Sequence, residues 1–240
     1  MESLNHDNPS EGSPFMGSRP SRKTGTRLVF PANVWIYGPG RTGERVSEDR
    51  APSPTSQRGH LRAAMEQRIR EAGIHHAIVR LPEFYGSRVV TLTARLFRAA
   101  LSGRSAFWPG PIDLPVEFVF MPDAATALVA VATAADCDAG YFHLPGVQTT
   151  LRQFAGLVFS AADRPTRIIP VPRWVLAAVG AVDPTIRGLA DIAHLWTDPI
   201  LLDGTKYADR FGALPMTPLA DAVGVTMAWH QAHPDLRLQA

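Results

Sequence analysis

The sequence is poor in three features. One cysteine, Cys137, stands in 240 residues. A single thiol closes no intrachain disulfide, so the fold does not depend on an oxidising compartment, and no pattern around Cys137 supports a thiol nucleophile. Lysine is nearly absent: Lys23 and Lys206 are two of 24 basic residues, so the positive charge is carried by arginine. Against 22 acidic residues the net charge is +2, too small to imply nucleic acid as a partner. Long apolar runs are missing as well. The uncharged stretches 124–135 and 174–182 fall short of the roughly 20 residues that span a bilayer, so no membrane partner is expected. The opening Met1-Glu2-Ser3-Leu4-Asn5 lacks the basic-then-apolar pattern of a secretory signal. A cytoplasmic location follows as an expectation.

What is present describes a folded chain. The composition, 45% hydrophobic and 19% charged, excludes a disordered polymer or a coiled coil. Residues 1–25, with Pro9, Pro14 and Pro20 among serines and glycines, predict a disordered N-terminal segment. From Thr26 the pattern alternates. Leu28 to Tyr37 reads as a buried strand with a Pro-Ala-Asn interruption, followed by a loop over 38–56. The spacing predicts a helix over 57–72, with Leu61, Met65 and Ile69 facing inward. Arg62–Glu66 and Glu66–Arg70 form i,i+4 pairs on its outer face. A strand at 76–81 stops at Pro82. A helix over 89–102, a strand over 116–120, a helix over 123–135 and a strand over 140–144 follow. Alternation at this spacing indicates an α/β fold with a parallel sheet over 26–145. Beyond it, 146–240 reads as a mainly helical lobe, with segments at 150–162, 172–182, 184–195 and 217–232.

Short motifs are few. Gly38-Pro39-Gly40-Arg41-Thr42-Gly43 matches G-x-G-x-x-G after a strand. A phosphate cradle also needs a helix to start there, and the following Glu44 to Pro52 is acidic and Pro-interrupted, so an ordinary glycine loop is the preferred reading. Nine arginines against three glutamates across 58–104 suit either an anionic ligand or a solvated helix face. The pairs His75-His76 and His230/His233 have no cysteine or carboxylate at zinc-ligand spacing, so no metal is expected.

Four runs, in order, carry a resemblance. They are Arg27-Leu28-Val29-Phe30-Pro31-Ala32-Asn33-Val34-Trp35-Ile36-Tyr37-Gly38, Ile78-Val79-Arg80-Leu81-Pro82-Glu83-Phe84-Tyr85-Gly86, Phe118-Val119-Phe120-Met121-Pro122-Asp123-Ala124-Ala125 and Gly140-Tyr141-Phe142-His143-Leu144-Pro145-Gly146. Together they resemble the extended short-chain dehydrogenase/reductase family, of the NAD-dependent epimerase/dehydratase type, over about residues 26–235. The resemblance implies a Rossmann-like parallel sheet followed by a helical substrate lobe, NAD or NADP as cofactor, and a small-molecule substrate such as a nucleotide sugar. It implies an Asp123 that caps a helix start. It also implies a truncated sheet, because about 25 residues ahead of Leu28 are too few for the family's glycine-rich first βαβ unit. The Leu28 strand would then be an exposed edge, open to pairing in a homodimer or to aggregation.

The catalytic set implied by the resemblance is altered. The family's Ser/Thr, Tyr and Lys fall on Asn33, Arg58 and Arg62. Arg58 stays charged at any physiological pH and is no general base, whereas Arg62 still offers a positive charge. Asn33 can hydrogen-bond a carbonyl. Asn33, Arg62 and Pro82 are the candidate cofactor contacts, with Pro82 beside the nicotinamide. Two residues are candidates for the missing proton transfer. His60 is either a substitute base or a surface helix residue, and Glu83 is either an acid/base group or a solvated loop residue. The expectation is an impaired NAD(P)-dependent oxidoreductase of epimerase/dehydratase type. The alternative is a non-catalytic relative acting as a binding or regulatory module.

Overall fold

The computed structural model describes residues 26–41, 43–135, 137 and 140–234; the expected disordered segment 1–25 lies outside them. In chain order the elements are β1 (Leu28–Asn33), a 3-10 turn (Val34–Ile36), β2 (Glu44–Val46), α1 (Gln57–Glu71), β3 (His76–Leu81), β4 (Glu83–Tyr85), α2 (Leu92–Leu101), β5 (Ala106–Pro109), β6 (Pro115–Phe120) and α3 (Met121–Thr133). Then come β7 (Gly140–His143), β8 (Val147–Thr150), α4 (Leu151–Ser160), β9 (Ile168–Val171), α5 (Arg173–Gly180), α6 (Pro184–Asp191), α7 (His194–Thr197), β10 (Ile200–Leu202), α8 (Thr205–Phe211) and α9 (Leu219–Ala232).

The α/β, Rossmann-like reading holds. A parallel sheet in the order β1-β3-β7 forms the centre, with Leu28 opposite His76 and Ala77 opposite Gly140. Every residue of β3 is buried, Ala77 to Val79 and Leu81 as a central parallel strand requires, and His76 and Arg80 with them. Among the described residues, β1 and β7 are the edge strands of this sheet. The chain after 145 is mostly helical, but it also returns three strands to earlier partners: β8 to β6, β9 to β5 and β10 to β2. β2, β4, β5, β8, β9 and β10 are too short to show a period, and the sequence did not predict them.

Local chemistry explains the boundaries that differ from expectation. β1 runs straight through Pro31, because an edge strand tolerates a residue without an N–H. The break falls at Asn33 instead, whose Oδ1 accepts the Trp35 N–H at 3.1 Å and starts the 3-10 turn where a strand was expected. α1 begins at Ser56, whose Oγ accepts the Gly59 N–H at 2.9 Å. Asp123 does not cap α3; both its carboxylate oxygens bind Thr217, accepting from the backbone N–H at 2.7 Å and the hydroxyl at 2.8 Å.

The largest departure concerns Glu66. It does not pair with Arg62 or Arg70 at the surface. It is 1% exposed and grips Arg80 of β3, itself 3% exposed, accepting from Nη2 at 2.8 Å and from Nε at 3.3 Å. Turning Glu66 inward turns Leu61 outward, where it is 62% exposed, and leaves Gly59 and Ile69 on the buried face. Arg80 Nη1 also donates to the Tyr37 hydroxyl at 2.6 Å. Tyr37 in turn lies 2.9 Å from His143 Nε2, and His143 Nδ1 lies 3.0 Å from the Val46 carbonyl. A carbonyl only accepts, so Nδ1 carries the proton and Nε2 accepts from Tyr37.

Burial sets the protonation of this network. It pushes the Tyr37 phenol up to about 12, against the lowering effect of Arg80. It pushes the His143 imidazole down to about 4, with the Arg80 charge acting in the same direction. His230 of α9 is also pushed down to about 4, by burial and then by Arg98, and stacks on Phe97 at 5.3 Å. A histidine whose folded pKa is depressed stabilises the fold above its unfolded pKa of about 6.5 and loses that contribution as pH falls toward the folded value. Each such histidine should therefore subtract up to about 3 kcal/mol between about pH 6.5 and about pH 4 in urea unfolding, against the opposite contribution of Glu83 and Glu117, whose carboxyls burial raises to about 7. His230→Phe, which removes one such histidine, should gain stability relative to the parent chain as pH falls over that range; a difference that does not change with pH would contradict this assignment.

Candidate functional site

β1 and β3 end at the same level, with Asn33 opposite Leu81. Beyond that line the two chains part. One turns at Asn33; the other passes Pro82, which has no N–H, and leaves the central sheet to pair with β6 as β4, Glu83 opposite Phe118. A cavity of about 470 Å³ opens where they diverge. Asn33 and Trp35 line it from the turn, Arg58 and Arg62 from α1, and Pro82 and Glu83 from the strand break. Leu189 and Ile192 close the side next to α6. The crevice beyond the carboxyl ends of parallel strands is where open α/β sheets present ligand sites.

Five of the six residues singled out by sequence thus meet in one cavity: Asn33, Arg58, Arg62, Pro82 and Glu83. His60 does not; it is exposed on α1 and absent from the lining. The glycine loop is not a phosphate cradle. Its described part, Gly38 to Arg41 and Gly43, leads into β2 with no helix N-terminus behind it, and Thr42 lies outside the described residues.

Asn33 has already committed Oδ1 to the Trp35 N–H, which leaves its Nδ2 donors for a ligand. The guanidiniums of Arg58 and Arg62 lie 6.0 and 5.8 Å from the Trp35 ring centre, within cation–π range. Arg58 reaches across to α6, where Gly188 makes room: a methyl group there would lie 2.6 Å from Nη2. Glu83 is half-buried, and desolvation pushes its carboxyl up to about 7, opposed only by the Thr91 hydroxyl, which donates at 3.5 Å. Glu117, also on the lining, is pushed up to about 7 by burial, although the Leu202 N–H donates to it at 3.0 Å and Arg45 lies nearby. A second, more open depression is lined by Glu48, Asp49, Asp203, Lys206 and Asp209.

The family model described as RmlD substrate binding domain matches residues 18–179. The chain belongs to that family. No curated protein matches it. Solved structures do. A UDP-glucuronic acid 4-epimerase from Bacillus cereus in complex with NAD superposes with a TM-score of 0.69 at 15% identity, over 86% of this chain and 61% of that one. A UDP-glucose 4-epimerase from Thermotoga maritima, with UDP-glucose, gives 0.69 at 20% identity, over 91% and 68%. DesIV, a dTDP-glucose 4,6-dehydratase from Streptomyces venezuelae with NAD and TYD bound, gives 0.70 at 18%, over 90% and 63%. The fold is that of the NAD-dependent epimerases and dehydratases of the extended short-chain dehydrogenase/reductase family. The chain spans about three-fifths of the length of the Bacillus cereus epimerase.

Trp35, Thr91, Glu117 and Gly188 were not foreseen. Glu117 had a signal, a carboxylate inside the apolar run Val116 to Phe120. Trp35 had another, an asparagine two residues earlier that can accept its N–H. One residue holds the arginines over Trp35: Gly59 packs so closely on the Trp35 carbonyl that a methyl group would collide with it. Gly59→Ala should force α1 off the turn and cost about 1–3 kcal/mol in urea unfolding. Gly156→Ala in α4, where nothing lies within 4 Å, should cost nothing; equal effects would contradict the close approach.

Proposed function

We propose that this chain forms the substrate cleft of an NAD(P)-dependent oxidoreductase of epimerase/dehydratase type, acting on a hydroxyl-bearing small molecule, with nucleotide sugars as the favoured class. The observation that carries this reading is the single cavity shared by Asn33, Arg58, Arg62, Pro82 and Glu83. The donor set suits the nicotinamide-ribose half of the cofactor. Arg62 offers a charged donor for ribose oxygens, Asn33 offers its Nδ2, and Pro82 forms a flat apolar wall. When bound, NAD(P) supplies the hydride acceptor or donor.

The chain's own residues supply the rest. Asn33 Nδ2 donates to the substrate oxygen and holds it toward Pro82. Glu83, with a carboxyl poised near neutrality, takes the hydroxyl proton as a carbonyl forms and returns it on reduction. Arg58 cannot take that role, because its guanidinium does not deprotonate. The same fact supports a second reading, a binding module that holds ligand and cofactor without turnover.

A cofactor titration followed by a turnover assay tests both. With NAD(P) and a nucleotide sugar, oxidation should rise with pH through about 7, as Glu83 ionises, and level off above it. Glu83→Gln should lower kcat by about 100-fold or more while leaving cofactor affinity in place. Saturable binding with no turnover in either protein would favour the binding module. A folded chain that ignores NAD and NADP alike would overturn the cofactor reading.

A further inference from the structure

We infer that Arg58 and Arg62 form an anion seat, and that the ligand of this cavity carries a carboxylate or phosphate group held by both guanidiniums against the Trp35 indole. The inference rests on the reading of the cavity as the substrate cleft and names the chemical class that the cleft selects.

The charge pattern is the first argument. Arg45 and Arg187 reach carbonyl or amide oxygens, and three arginines are answered by carboxylates: Arg80 by Glu66, Arg50 by Glu44 and Arg152 by Asp113. Arg58 and Arg62 are not. Among the described residues neither has a carboxylate within 4.0 Å. They sit four residues apart on one helix, where like charges repel, and in its first turns, where the helix N-terminus adds positive potential. Glu83 does not act as their counterion. Its carboxyl is lifted by burial, and no arginine pulls it back. Arg58 is exposed and Arg62 half-buried, so water solvates the pair in the free chain, and an anion entering the cavity would take the place of that water between two like charges.

The second argument is preorganisation. Both guanidiniums lie within 6.0 Å of one indole, which limits their rotamers while leaving N–H edges available. Gly188 lets Arg58 reach across to α6, and Gly59 seats α1 on the Trp35 turn. Arginine forks match the paired oxygens of a carboxylate or phosphate, a match a lysine does not reproduce. Two residues that would serve proton transfer as tyrosine and lysine here serve charge recognition.

Calorimetric titration of the whole chain, with no cofactor present, tests this. The probes are UDP-glucose and inorganic phosphate for the phosphate source, glucuronate for the carboxylate source, and uridine and glucose as neutral counterparts. At least one anionic probe should bind, more tightly than its neutral counterpart. Arg58→Gln and Arg62→Gln should each weaken it about tenfold, with Arg→Lys recovering only part of the loss. Arg152→Gln, whose exposed pair with Asp113 lies outside the cavity, should change nothing. Matching urea midpoints would show that the variants remain folded. Affinity unchanged in both cavity variants, equal binding of the neutral probes, or no anion binding by the folded chain would each overturn the inference. Because no hydride transfer is read, arginine-dependent binding without turnover retains the seat and removes only the enzymatic reading. Turnover without that dependence does the reverse.

Discussion

The buried ion pair between Arg80 and Glu66 is the constraint on which the remaining geometry depends. Arg80 sits in the middle strand of the central sheet, and Glu66 sits midway along α1. Two donors of one guanidinium meet both oxygens of one carboxylate. Removing either partner would leave an uncompensated buried charge, at a cost of about 3–5 kcal/mol. The pair therefore fixes how far α1 lies from the sheet and which face it presents. Tyr37 and His143 extend the lock to the turn after β1 and to β7, so four segments distant in sequence share one hydrogen-bonded chain. With Glu66 held inward, Arg62 and Arg58, one and two turns earlier, are carried to the cavity.

The cavity itself comes from two backbone breaks in register. Asn33 ends β1 by capping a tight turn, and Pro82 ends β3 by withholding an N–H. Because Asn33 and Leu81 are paired, the breaks face each other. The strand leaving Pro82 reaches the aromatic core around Phe118, which stacks on Phe154 at 4.2 Å. Glu83 is thus anchored between two packed regions, yet remains half-buried on the cavity wall. Desolvation, with no arginine of the cavity close enough to offset it, is what raises its carboxyl toward neutrality.

The sequence showed the longer elements well. β3 runs over 76–81 as expected, and α1, α2, α3 and α9 each lie within a few residues of their predicted spans, because their apolar patterns and glycine or proline ends are local signals. Six short strands escaped because three or four residues carry no period. The faces of α1 were misjudged because a charge pair four residues apart looks the same whether its glutamate meets solvent or a distant arginine; only β3 decides that. The site was half legible. Order along the chain singled out Asn33, Arg58, Arg62, Pro82 and Glu83, and the fold gathers them. Gly188 was invisible, since its importance lies in a contact between α1 and α6 that no local pattern encodes.

Hydrogen exchange on the purified chain, with and without NAD and UDP-glucose, tests the central claim that this cavity is where ligands act. Ligand should slow exchange at 33–36, 57–62, 82–84 and 91–95, the four segments that converge on Asn33, the arginines and Glu83. Protection confined to 47–49 and 203–210, the second depression, or no change anywhere in a folded chain, would contradict the account.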